Sequence, residues 1–215
     1  MNGALATQLT ATLRQGAAQL RVDLTDAAVD AMIAYLDVLG RWNRRFNLTA
    51  IRDPERMVVE HLLDALTINH ALQGDRLIDV GTGAGLPGLV LAIARPQLSF
   101  TLLDANGKKT RFLREAVRVL GAGNVEIVTA RCEDYRPGAG FDTVMCRAFA
   151  PLPRLVADAG HLRGPGGVIL AQKGLYPDDE IAQLGDGWQV ESTTVSVPGL
   201  DKTRHLLFLR PTPTP

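Results

Sequence analysis

A short apolar run, Leu77-Ile78-Asp79-Val80, delivers the chain directly into Gly81-Thr82-Gly83-Ala84-Gly85-Leu86-Pro87-Gly88. Four glycines in eight residues permit positive φ and let a ligand press against bare backbone. The helix expected next, over Leu89–Ala94, offers unpaired N–H groups at its start. A buried strand, a glycine turn and a helix in that order belong to an α/β crossover.

The surrounding pattern agrees. From Arg76 onward, the runs Leu77–Val80, Phe100–Leu103, Val125–Val128, Phe141–Met145 and Val168–Ala171 alternate with helical segments at Leu89–Ala94, Lys108–Leu120 and Leu152–Leu162. Runs that are polar on neither face suit strands covered on both sides, which means a parallel sheet. Trp188–Val197 and His205–Leu209, joined by Pro198-Gly199-Leu200-Asp201, read as an antiparallel hairpin. Before residue 74 the chain reads as helices. Val29, Met32, Ile33, Leu36, Leu39 and Asn43 form one stripe, and Asp53-Pro54 opens a second helix whose polar positions include Glu60, His61 and Asp64. The expected layout is a helical extension over 1–73, an α/β domain over 74–210, and a tail over 211–215. That tail, Pro-Thr-Pro-Thr-Pro, is expected to dangle in solvent.

Two cofactors fit the glycine loop. Gly83-Ala84-Gly85-Leu86-Pro87-Gly88 satisfies GxGxxG, and Asp104 follows about 20 residues on, as a dinucleotide site wants. The strand ends at Val80, however, so the loop opens as Gly81-x-Gly83-x-Gly85, which suits S-adenosylmethionine, a ligand with no pyrophosphate to cradle. NAD, and a tight turn with no ligand, remain alternatives. Asp104, ending the second strand, is placed to accept from both ribose hydroxyls; the plainer reading makes it the cap of the following helix. Asp79, at the mouth of the loop, is expected to attract the methionine ammonium, against the alternative of a simple turn former.

Composition narrows the partners. Lys+Arg 23 cancels Asp+Glu 23, so indiscriminate coating of nucleic acid is not expected and any RNA contact must come from a local patch. The helix at 108–120 carries Lys108, Lys109, Arg111, Arg114 and Arg118 against Glu115; further candidates are Arg44, Arg45, Arg52, Lys173, Lys202, Arg204 and His205. The plain alternative is a solvated face. With aromatics at 5%, a stacking platform for an extended single strand is not expected. Cys132 and Cys146 form no CxxC pair and read as reduced packing residues, and no metal site is expected. Without a signal-peptide pattern or an 18-residue apolar run, a cytoplasmic protein with no membrane contact is expected. The lack of coiled-coil heptads makes a monomer the default.

Taken in order, Trp42-Asn43-Arg44-Arg45-Phe46-Asn47-Leu48-Thr49, Glu60-His61-Leu62-Leu63-Asp64, the glycine loop with Leu86-Pro87-Gly88, Asp104 with Lys108-Lys109, Arg147-Ala148-Phe149-Ala150 and Lys173-Gly174 resemble the RsmG (GidB) family of bacterial small-subunit ribosomal RNA methyltransferases. The resemblance implies a class I S-adenosylmethionine-dependent methyltransferase fold: a Rossmann-like mixed sheet, mostly parallel, with a C-terminal antiparallel hairpin and an N-terminal helical extension. It also implies methyl transfer to N7 of guanine 527, in the 530 loop of 16S ribosomal RNA. The substrate would be that RNA, the 30S subunit or an assembly intermediate. By motif match the cofactor touches Gly81, Leu86, Asp104, Cys132, Glu133 and Arg147, with Arg147 also positioning the target as the catalytic residue. In this sequence Ala105, Ala65 and Cys132 depart from residues the family often has there. His61, within the family segment, is expected to help join the helical extension to the sheet, against the plainer reading of a hydrogen-bonded core residue. The competing functions are a methyltransferase for a small molecule or protein, and a nucleotide-binding module without catalysis.

Overall fold

The computed structural model describes residues 3–213. Seven strands form one sheet in the order β3-β2-β1-β4-β5-β7-β6. β1 (Arg76–Val80), β2 (Ser99–Leu103), β3 (Val125–Val128), β4 (Phe141–Arg147) and β5 (Arg163–Lys173) are parallel, while β7 (Thr203–Pro211) runs antiparallel between β5 and β6 (Trp188–Ser196). The order reverses beside β1, so a crevice opens at the carboxyl ends of β1 and β4, where open α/β sheets bind ligands.

Side-chain alternation sorts the core into two faces. Ile78, Val80, Val144, Cys146, Ile169 and Ala171 pack with α7 (Leu152–Ala159) on one side. On the other, Leu77, Met145 and Leu170 meet Leu91 and Ala92 of α5 (Gly88–Ala94), while Leu102 joins the cluster of α6 (Gly107–Leu120) and the amino-terminal helices. Those helices are α1 (Gly3–Gln19), α2 (Asp26–Phe46), α3 (Pro54–Met57), a π-helical segment Val58–Leu63 and α4 (Asp64–Leu66). The stripe Val29, Met32, Ile33, Leu36, Leu39 and Asn43 is buried throughout. Thr25 caps α2 by accepting from Ala28 N, and Asp53 caps α3 by accepting from Arg56 N at 2.8 Å.

Three boundaries depart furthest from expectation. β5 starts at Arg163, five residues before the apolar run, because Arg163 pairs with Phe141 ahead of the bulge between Phe141 and Thr143. α7 correspondingly stops at Ala159 and gives way to a 3-10 turn, Gly160–Leu162. The supposed tail begins too early: Pro211 ends β7 paired with Trp188, and Thr212 N donates to Gly187 O at 3.1 Å, so edge pairing holds these residues to the sheet. Residues 214 and 215 lie outside the described residues. Among the described residues no helix is long and apolar enough to cross a membrane.

Candidate active site

Two cavities flank the carboxyl ends of the central strands and share one residue, Ala148. Ala148 follows β4 with φ at +50°, a left-handed turn uncommon for a residue with a Cβ and often found where function requires it.

The first cavity, about 540 Å³, lies on the α7 side of the sheet. Gly81 forms part of its wall at φ +67°; a Cβ there would fall 2.5 Å from the Phe149 ring, so only glycine leaves this passage open. Gly88 is needed differently: a Cβ would strike Leu102 and Asp79, so the bare backbone lets α5 settle on the sheet. Asp104, 7% exposed, closes the end of β2 against this cavity. Its Oδ2 accepts from Gly83 N at 3.0 Å and its Oδ1 from Asn106 N at 2.8 Å. Each oxygen has two acceptor positions, so Oδ1 keeps one for a ligand hydroxyl. The cap of α6 is Asn106, which accepts from Lys108 N at 2.9 Å; the capping alternative for Asp104 is thereby set aside.

Cys132 and Glu133, in a 3-10 turn after β3, also line the first cavity. Burial pushes the Cys132 thiol up to about 12, and it donates to Asp158 O at 3.3 Å, so it is a protonated wall residue. The second thiol, Cys146, is likewise raised to about 12 by burial. The wall carries Lys109, Arg131 and Arg154 against Asp104, Glu133 and Asp158, a balanced set.

Four expected cofactor residues do not form the wall of the first cavity. Asp79 is not at the mouth: it is fully buried, pointing with Leu77 toward the face that α5 covers. Its Oδ2 accepts from Thr82 Oγ1 at 2.7 Å and from Gly88 N at 2.8 Å, so it pins the loop to the start of α5. Burial raises its carboxyl to about 6, and its Oδ1 is left without a partner. Leu86 packs in the core, and neither Gly83 nor Gly85 lines the cavity; they shape the loop behind it. The loop is braced by α2, whose buried Tyr35 donates its hydroxyl to Ala84 O at 2.7 Å.

Arg147 is placed differently again. It does not line the first cavity; it enters the second, of about 790 Å³, on the side of the helical extension. There its Nη1 donates to Asp64 Oδ2 at 2.7 Å, while Arg204 Nε donates to Asp64 Oδ1 at 2.7 Å. The Asp64 side chain is 2% exposed, and Arg147 and Arg204 are 22% and 18% exposed. One buried carboxylate therefore orients two guanidinium groups from β4 and β7. Gln172 Nε2 reinforces it, donating to Asp64 O and to Thr67 Oγ1, both at 3.2 Å. His61 also lines this cavity, but it bonds Thr49 Oγ1 at 2.9 Å and Glu60 O at 3.1 Å, both within the extension. Burial and the nearby Arg147 lower its pKa, which favours the neutral ring. The join to the sheet is thus made by Asp64, three residues later.

The basic candidates divide. Lys173 and Arg204 line the second cavity, with Lys173 Nζ 2.8 Å from Glu180 Oε2. Lys109 reaches Asp104 at 3.5 Å and borders the first cavity, its side chain still 38% exposed. Lys108, Arg111 and Arg114 are exposed on α6, Arg114 donating to Thr129 Oγ1 at 2.9 Å, and Arg44 and Arg45 are exposed at the end of α2. The sequence reading missed the role of Asp64 and the π-helical segment ahead of it. Asp64 stood in the sequence as a charged residue amid the apolar positions of a helix and as the last residue of the segment Glu60-His61-Leu62-Leu63-Asp64, but neither signal named its arginine partners. Among the described residues no metal-binding cluster occurs.

A profile of the GidB family, described as rRNA small subunit methyltransferase G, matches residues 28–207. A protein named Ribosomal RNA small subunit methyltransferase G from Stenotrophomonas maltophilia (strain K279a) is 49% identical over 204 residues, 94% of this chain and 95% of that one. One of the same name from Chromobacterium violaceum is 50% identical over 200 residues, 92% and 96% of the two chains. Among solved structures, a SAM dependent methyltransferase from Aquifex aeolicus superposes with a TM-score of 0.58 at 18% identity, covering 76% of this chain and 96% of that one. The Pyrococcus abyssi tRNA (uracil-54, C5)-methyltransferase in complex with S-adenosyl-L-homocysteine gives 0.51 at 20% identity, covering 68% and 37%. These likenesses give the fold: a class I methyltransferase sheet.

Proposed function

The chain belongs to the GidB family of rRNA small subunit methyltransferases, and from that membership we propose that it methylates N7 of guanine 527 in 16S ribosomal RNA, with S-adenosylmethionine as donor. The observation that carries the site assignment is the pair of cavities meeting at Ala148. The first has three basic and three acidic side chains, which suits a ligand bearing both a sulfonium and a carboxylate. The second has Arg147, Lys173, Lys202 and Arg204 against Glu60 and Asp64, which suits a polyanion.

The first cavity fits the donor: Gly81 leaves open backbone, Asp104 keeps an acceptor for ribose, and Cys132 and Glu133 form the far wall. When bound, S-adenosylmethionine supplies the methyl group that is transferred. Guanine N7 carries a lone pair and no proton, so no side chain need act as a base; the neutral, internally bonded His61 agrees with that requirement. The work left to the chain is alignment. Arg147 and Arg204, held by Asp64, orient the RNA, and Ala148 brings the two cavities side by side. Arg147 acts here from the acceptor side. Lys108, Arg111, Arg44 and Arg45 add phosphate contacts that position without reading sequence.

The relatives give no support to a small-molecule or protein acceptor, or to a binding-only module. The test is methyl transfer from labelled S-adenosylmethionine to 16S RNA and to 30S particles from cells lacking the gene. Primer extension after borohydride–aniline cleavage then maps the product. Cleavage at guanine 527 is expected, and transfer confined to another nucleotide or to protein overturns the assignment.

A further inference from the structure

Leu175 is 85% exposed and Tyr176 43% exposed, two of the three large apolar side chains left open among the described residues. They are adjacent, in the loop Gly174–Pro177 between β5 and α8 (Asp178–Ala182), and Leu175 forms part of the wall of the second cavity. Exposed leucines scattered singly need no explanation. An exposed leucine and an aromatic ring side by side at the rim of the proposed acceptor cavity are a different arrangement.

The Tyr176 ring is also set in place. It meets His205 of β7 edge to face, centroids 5.5 Å apart at 73°, and His205 Nδ1 lies 3.4 Å from Thr194 Oγ1 of β6. An edge contact of this kind fixes a ring while leaving a flat side open. Beside Leu175 the cavity wall carries Lys173, Lys202 and Arg204, of which Lys173 is paired with Glu180 and Arg204 with Asp64, so a ligand lying over Leu175 meets apolar surface next to basic side chains. Of the common biological ligands, an unstacked nucleotide has both an anionic backbone and a π face.

We propose that this loop is a stacking rim for one nucleobase of the RNA. Tyr176 stacks the base next to the target, and Leu175 fills the gap that the target leaves in the strand as it turns into the cavity. Apolar side chains act as such wedges in proteins that unstack bases, and a base acted on within a structured strand must leave its stack. The inference rests on the RNA-methylating reading above. It requires a platform for a single base only, in keeping with a chain that has few aromatics.

The test uses the full chain with unmethylated 30S particles, comparing wild type with Leu175→Ala, Tyr176→Ala and Tyr176→Phe. Loss of one stacked base is worth roughly 5- to 150-fold in binding. Tyr176→Ala is expected to raise KM for the particle by that factor, and Tyr176→Phe to restore it. Leu175→Ala is expected to lower kcat for the particle. All three variants keep wild-type affinity for S-adenosylmethionine; Leu175→Ala and Tyr176→Phe keep the wild-type melting temperature, and Tyr176→Ala lowers it only by the loss of its ring contact with His205. Variants within twofold of wild type in kcat and KM overturn the wedge while leaving the RNA reading intact. A dimer in wild type that Leu175→Ala dissociates, with RNA transfer unchanged, assigns the patch to a second copy and overturns the proposal. If wild-type protein methylates no RNA, the underlying reading fails and takes this inference with it.

Discussion

Replacing Asp64 by Asn tests whether one carboxylate organises the second cavity. Asp64 accepts from Arg147 and Arg204 at 2.7 Å each and is 2% exposed. A hydrogen bond to a charged group contributes about 1.5–3 kcal/mol. An asparagine oxygen still accepts from one guanidinium but turns its NH2 toward the other. Both arginines retain some water through the cavity, which reduces the cost of leaving them unpaired. Asp64→Asn is therefore expected to cost about 3 kcal/mol. For a chain of this length that corresponds to a fall in Tm of about 6–12 °C. Arg204→Gln and Arg147→Gln each leave a pair behind and are expected to cost less, about 1–2 kcal/mol. Urea unfolding of the three single variants, with the Asp64→Asn/Arg204→Gln double variant, measures the coupling, expected at about 1 kcal/mol or more. An Asp64→Asn protein within about 0.5 kcal/mol of wild type, or less destabilised than either arginine variant, refutes the reasoning.

Asp104→Ala removes the acceptor assigned to ribose and should weaken S-adenosylmethionine binding by about 1–3 kcal/mol; unchanged affinity by calorimetry excludes that role. Lys108→Glu with Arg111→Glu should weaken 30S binding and spare the cofactor, whereas Lys109→Glu should impair both, because Lys109 faces Asp104 in the first cavity. Filter binding and calorimetry separate these outcomes, and equal effects of the two changes on cofactor affinity sink the distinction. Asp79 titrates near 6 when folded and at an ordinary carboxylate value when unfolded. Its contribution to stability is therefore fully present below about pH 4 and lost as pH rises through about 6. The stability of wild type minus that of Asp79→Asn should fall by up to about 3 kcal/mol between pH 4 and 7, and a pH-independent difference contradicts the assignment.

What sequence reveals here is whatever depends on neighbours along the chain. β3 and the run at the start of the glycine loop are legible because an apolar run bounded by breakers has few alternatives. The first half of β5 is not, since Gly164, Pro165, Gly166 and Gly167 read as a turn and join the strand only because Arg163 before them pairs with Phe141 and Val168 after them with Thr143 of β4. Asp79 shows a different failure. An acid at the end of a strand resembles a ligand, but alternation places it with Leu77, on the side where Gly88 N waits for an acceptor. The Asp64 cluster joins residues 83 and 140 positions apart, so only the sheet topology brings them together. Nor does residue type announce a π-helical turn, which is rare and tends to occur near functional sites.

The charge balance raises the question of how a chain with no net charge engages a polyanion. At physiological ionic strength charges act over about 8 Å, so what the RNA meets is the local set, not the sum. Ile51, Glu60, His61 and Asp64 form the side of the second cavity contributed by the helical extension. Without them, Arg147 and Arg204 would lose their shared carboxylate, and a shaped cavity would become an open basic groove. Such a groove attracts any phosphate backbone; one that fixes two guanidinium groups favours the strand whose phosphates and bases match their spacing. The acids supplied by the extension thus subtract attraction and add geometry. For the single-nucleotide target proposed above, the second matters more than the first.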